Sequence, residues 1–110
     1  MLRETISRIE DQLRGTASLD PGKREELLSL VGALKEEVAA LAETHREDAR
    51  SIASFAETSV QEAMRNEKNR ELLTHSLDGL ALSARRFEVS HSRLTGLVNA
   101  IGQTLWKIGI

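Results

Sequence analysis

Apolar residues recur along this chain at alternating steps of four and three, first as Leu27, Val31, Leu34, Val38 and Leu41, then beyond a polar gap as Ile52 and Phe55. Such spacing keeps one stripe of a helix facing the same way, so that another helix has to cover it. His45 and Asp48 fill the gap and fall on the same stripe. A second series, Leu73, Leu77, Leu80, Ala84, Phe87, His91, Leu94, Val98, Ile101, Leu105 and Ile108, keeps the alternation for more than five heptads. The pattern predicts two long helices, over about 21–65 and 70–108, the second roughly 58 Å long at 1.5 Å per residue.

Local signals place the ends of these elements. Leu2, Ile6, Ile9 and Leu13 predict a short amphipathic helix over 1–15 that stops near Gly15. A linker over 16–20 leads to Asp20-Pro21, where Asp caps the next helix and Pro takes its first position. The turn between the long helices is expected at Asn66 to Asn69. After Phe55 the seam frame lands on Ser59 and Glu62, and the small residues Ala49, Ala53, Ala56, Val60 and Ala63 take over one position around the helix, as a stutter would arrange. Ser90 offers a cap for a separate last helix, but the unbroken heptad phase favours one continuous helix.

Folding the chain back at residue 68 tests the two seams against each other. An antiparallel hairpin then pairs Ile52 with Ala84, Leu41 with Leu94, Val38 with Val98, Leu34 with Ile101, Val31 with Leu105 and Leu27 with Ile108. The same register sets His45 level with His91 and Asp48 level with Glu88, so the polar interruptions coincide. The expected fold is all-α and a single domain over 1–110, a short N-terminal helix followed by a coiled-coil-like helical hairpin over 21–110. Leu28, Leu30, Leu72, Leu82, Leu97 and Trp106 widen the apolar face beyond what one hairpin covers. That excess predicts a homodimer forming a four-helix bundle, with the N-terminal helices on its base.

Composition narrows the functional classes. The chain has 110 residues, 40% hydrophobic but only 3% aromatic, with one Pro, which suits helices and leaves little punctuation for an all-β fold. Net charge is −2 with the signs interspersed, which provides no broad field for nucleic acid or anionic lipid. The one basic cluster, Arg85, Arg86, His91 and Arg93, lacks aromatic partners for bases. Without Cys there is no disulfide, thiolate catalysis or thiolate metal site, which fits a reducing compartment. No apolar run approaches the roughly 18 residues of a spanning helix, and the N-terminus lacks a signal peptide's apolar core. These features predict a cytoplasmic protein without membrane partners. The last helix carries only Lys107 after Arg93, so Trp106 is expected in the bundle base rather than at a lipid surface.

At Phe87-Glu88-Val89-Ser90-His91-Ser92-Arg93-Leu94-Thr95, followed by an amphipathic helix ending Ile108-Gly109-Ile110, the chain resembles a family of small uncharacterised bacterial proteins known only as a domain of unknown function. That family is similar in its Phe-Glu-x-Ser-His-Pro-x-Leu core and its Gly-Ile-like terminus, and Ser92 stands where it usually carries Pro. The resemblance covers about the last 24 residues well and the opening helix with the start of the second helix loosely, with a longer middle over Thr44 to Asn69. It implies a helical bacterial protein and assigns no catalytic residue.

The polar layer holds the only candidate chemistry of note. Glu88 and His91 are spaced i, i+3, as are His45 and Asp48, so His45, Asp48, Glu88 and His91 form a candidate set of iron, manganese or zinc ligands inside a bundle. The plainer reading is a polar layer that fixes register and oligomer state, or a histidine pair that responds to pH. His75, Ser76 and Asp78 are too close along one helix to form a nucleophilic triad. The sequence therefore predicts a non-enzymatic, self-associating helical protein without a cofactor, a structural or protein-interaction module. Its hairpin tip or Ala-rich face would meet a second copy or an unidentified larger protein, and the alternative is a metal-binding bundle.

Overall fold

Asp20 and Asn69 begin the two helices that the sequence punctuates most clearly. The Asp20 side chain accepts the amide of Lys23 at 3.0 Å with Pro21 at the first helical position, and the Asn69 side chain accepts the amide of Leu72 at 3.0 Å. Each satisfies one of the amides that a helix start leaves without an internal partner. The computed structural model describes residues 2–110 as five helices: α1 (Leu2–Gly15), α2 (Pro21–Ala42), α3 (Arg46–Ala63), α4 (Arg70–Arg85) and α5 (Ser92–Gly109). The expected short helix, linker and turn near 66–69 are all present.

The two long helices are not continuous. The first is broken at 43–45 and the second at 86–91, and the hairpin is folded in half at both places. α3 packs on α4, α4 on α5, α5 on α2 and α2 on α3, with short connections that make neighbours antiparallel. The four-helix bundle expected of two chains is thus built within one, measuring 38 × 24 × 22 Å. Heptad phase did not report the breaks, because each half-helix still turns its stripe to a common core.

Within the bundle α2 still runs against α5 and α3 against α4. Glu37 meets Arg93 at 3.9 Å and Glu26 accepts from Thr104 at 3.4 Å between α2 and α5. On the other side Asp48 at the start of α3 meets Arg86 just after α4, and Phe55 lies over Gly79. Leu27, Val31, Leu34, Val38, Leu41, Ile52, Leu73, Leu80, Phe87, Leu94, Val98, Ile101 and Leu105 are buried in one cluster. Leu77 and Ile108 are only partly buried against it.

Phe55 departs from the expected core at 39% exposure. The inner face of α3 is set by Ala49, Ile52, Ala53, Ala56, Ser59, Val60 and Ala63, one position round from the seam frame, which leaves Phe55 at its edge. The small side chains let α4 approach closely. Ser59 is fully buried and its hydroxyl has no partner among the described residues. The Ala-rich stripe is consumed in this packing and offers no surface to a partner.

α1 lies along α2 and α3 rather than on the base. Leu2 shares a cleft with Ala42 and Arg46 at one end of the bundle, while Arg24 at the other donates to the carbonyls of Leu13, Thr16 and Leu19 and so closes the end of α1. Because each bundle helix is about half the expected length, the fourteen residues of α1 run along most of the eighteen of α3. Ile6, Ile9 and Leu13 fill the groove, and Arg8–Glu57 at 2.8 Å and Lys35–Glu10 at 2.7 Å flank it. The hydrogen bond it donates to Glu57 holds the Arg8 guanidinium above its ordinary pKa.

Candidate functional site

Both breaks follow one local pattern: a large apolar residue, two others, a hydroxyl residue and a histidine, as Leu41-Ala42-Glu43-Thr44-His45 and Phe87-Glu88-Val89-Ser90-His91. The His45 amide donates to the Leu41 carbonyl at 2.8 Å and the His91 amide to the Phe87 carbonyl at 2.7 Å. Helical bonding resumes from each histidine's own carbonyl, which accepts from Ala49 at 3.0 Å and from Thr95 at 3.3 Å. Thr44 Oγ1 and His45 Nδ1 share a hydrogen bond at 2.8 Å, as do Ser90 Oγ and His91 Nδ1 at 3.0 Å. The hydroxyl before each helix start is thereby bound to the imidazole, and neither α3 nor α5 has a side-chain cap.

The turns lie at the same end of the bundle and converge on Phe87, which is 3% exposed. His45 packs against its ring at 5.1 Å between centroids and 73° between planes, His91 at 5.7 Å and 88°. Both are edge-type contacts of the kind aromatic quadrupoles favour. The Arg86 guanidinium lies 5.3 Å from the same ring and 3.5 Å from an Asp48 carboxylate oxygen, so one cation serves both.

The four candidate ligands do not assemble as a metal site. His45 and His91 are at one level, as the register requires, but both pack on Phe87. Asp48 turns to Arg86, and Glu88 is exposed. Among the described residues no three of His, Asp or Glu are placed to hold a metal ion. The basic cluster is divided as well, with Arg86 on Asp48 and Arg93 on Glu37. Ser76 is buried and donates to the Leu72 carbonyl at 2.7 Å, which removes it from His75 on the exposed side of α4.

Two features escaped the sequence reading. One is Phe87 as the shared neighbour of both histidines; the repeat of the hydroxyl-histidine pair four residues after a large apolar residue was its signal. The other is the outer α3–α4 face, where Phe55 and Leu82, 39% and 63% exposed, line a cleft with Gly79, Ser51 and Ser83. No helix among the described residues is long and apolar enough to cross a membrane.

A model of a protein family described as a domain of unknown function matches residues 29–110. The chain belongs to the DUF4404 family. No curated protein and no solved structure matches it. The DUF4404 match takes in most of α2 and all of α3, α4 and α5 with both histidine turns, and leaves α1 outside. Ser92 occupies the first position of α5, where Pro would also be accommodated. Gly109 is buried where a Cβ would strike the Leu73 side chain and come 3.2 Å from the Ala63 Cα, which accounts for glycine near the C-terminus.

Proposed function

We propose that the protein is a non-catalytic helical module whose work is to associate with a second copy of itself. The observation that supports this reading is the continuity of its two seams. Leu41, His45, Asp48 and Ile52, and likewise Phe87, His91 and Leu94, keep steps of four and three through turns at which the helices end. Each half of the chain therefore carries a stripe that fits its own other half or the equivalent half of a copy. The exposed pair Phe55 and Leu82, and the absence of charge on α5 between Arg93 and Lys107, add surface suited to a protein rather than to a small substrate.

Light scattering over a concentration series tests the proposal. The mass should rise from 12.2 kDa towards twice that value as concentration increases. A mass of 12.2 kDa throughout would remove it.

A further inference from the structure

The helix starts of this bundle fall into two kinds. α2 and α4 begin with a side-chain cap from Asp20 and Asn69, whereas α3 and α5 begin at His45 and His91 with none. The uncapped starts are the two that interrupt the seams. Around them Glu43 and Arg86 retain right-handed helical torsions, and each histidine amide still donates to the carbonyl four residues back while its own carbonyl accepts from the helix that follows. Neither turn contains Gly or Pro, and no described non-glycine residue has positive φ. To become helix these turns need His45 and His91, at ψ 64° and 62°, to return to right-handed torsions, and neither turn holds a Gly or Pro that would oppose the change.

We propose that the chain exchanges halves with a second copy of itself by straightening at His45 and His91, an inference that rests on the self-association reading. Both turns are at one end of the bundle, so straightening them together converts the four short helices into one long hairpin. The pairs α3–α4 and α2–α5 stay within the chain. The contacts of α2 with α3 and of α4 with α5 are remade with the equivalent helices of the copy, which keeps the same apolar stripes covered. His45 and His91 return to the seam and meet their counterparts at the middle of the dimer. Closure within one chain benefits from an effective concentration in the millimolar range, so the folded-back monomer prevails in dilute solution and exchange grows with concentration.

Lys23 and Lys68 line one cleft at the end of the bundle remote from the histidines, and the chain has no native Cys. Spin labels on Lys23→Cys/Lys68→Cys protein, diluted into excess unlabelled protein, report their intrachain distance in the monomer and dimer fractions. The proposal expects a short distance in the monomer and about 60 Å in the dimer, from the rise of one continuous helix between the labels. A dimer that keeps the short distance overturns the exchange and leaves self-association standing, and monomer at every concentration overturns both. In a second arm, Arg46→Pro/Ser92→Pro places proline at the first turn of α3 and α5 in the folded-back form but inside a helix in the straight form. Its dimer dissociation constant should rise at least about a hundredfold with no fall in melting temperature, and an unchanged constant overturns the proposal.

Discussion

His45 and His91 hold the same backbone conformation, φ −136° and ψ 64° in one and φ −137° and ψ 62° in the other, each packed edge-type on the ring of Phe87. Two turns far apart in sequence thus reverse the chain in the same way at the same end of the bundle. Both histidines lie outside the right-handed helical region, which is the condition a following proline imposes.

Proline at the next position should accordingly be accepted in the folded-back protein. Ser92→Pro and Arg46→Pro each replace an exposed residue at a first helical position. By narrowing the unfolded ensemble each should stabilise by about 0.4–1 kcal/mol, which corresponds to a rise of about 2–4 °C in melting temperature. Thermal unfolding at low protein concentration checks this, and a fall would mean that the amides or torsions at these positions do not match a helix start.

Phe87 should be the most sensitive residue of the site. Truncation to Ala removes a buried ring together with the surface on which both imidazoles and Arg86 pack, at a cost of about 3–5 kcal/mol. Val89, two residues on and 95% exposed, is the control, since Val89→Ser should fall within about 0.5 kcal/mol of the parent. Urea unfolding of the two variants measures the contrast.

Two glycines that both meet a neighbour should respond in opposite ways to Ala. A Cβ at Gly79 meets the Phe55 ring, which is half in solvent and free to swing away, so Gly79→Ala should be neutral or stabilising by up to about 1 kcal/mol through helix propensity. At Gly109 the Cβ meets buried Leu73 and the Ala63 backbone, which have no such freedom, and a loss of about 1–3 kcal/mol is expected. Calorimetry on the pair decides whether contact alone or the freedom of the contacted group sets the outcome.

The parts of the fold legible in the sequence were those with strong local chemistry. Asp20-Pro21 and Asn69 announce helix starts, and Leu27 to Leu41 announces a buried stripe. The breaks were hidden because no Gly or Pro marks them and because period alone cannot distinguish a continuous helix from two antiparallel ones that share a core. The acidic first turn of α3, Glu47 and Asp48, was a usable sign of a new helix start, since carboxylates favour the positive end of the helix dipole. At the site, the common level of the two histidines followed from the register. Their packing on Phe87 did not, since a periodic pattern places residues on a face without saying which neighbour fills the space.

The most direct test of the account compares the mass of the parent chain with that of His45→Ala/His91→Ala at equal concentrations. Alanine is the better helix former and removes the imidazoles that hold Thr44 and Ser90, so it should favour the straight form and raise the dimer fraction severalfold. An unchanged or smaller dimer fraction would contradict the claim that these two turns decide whether the chain closes on itself or on a copy.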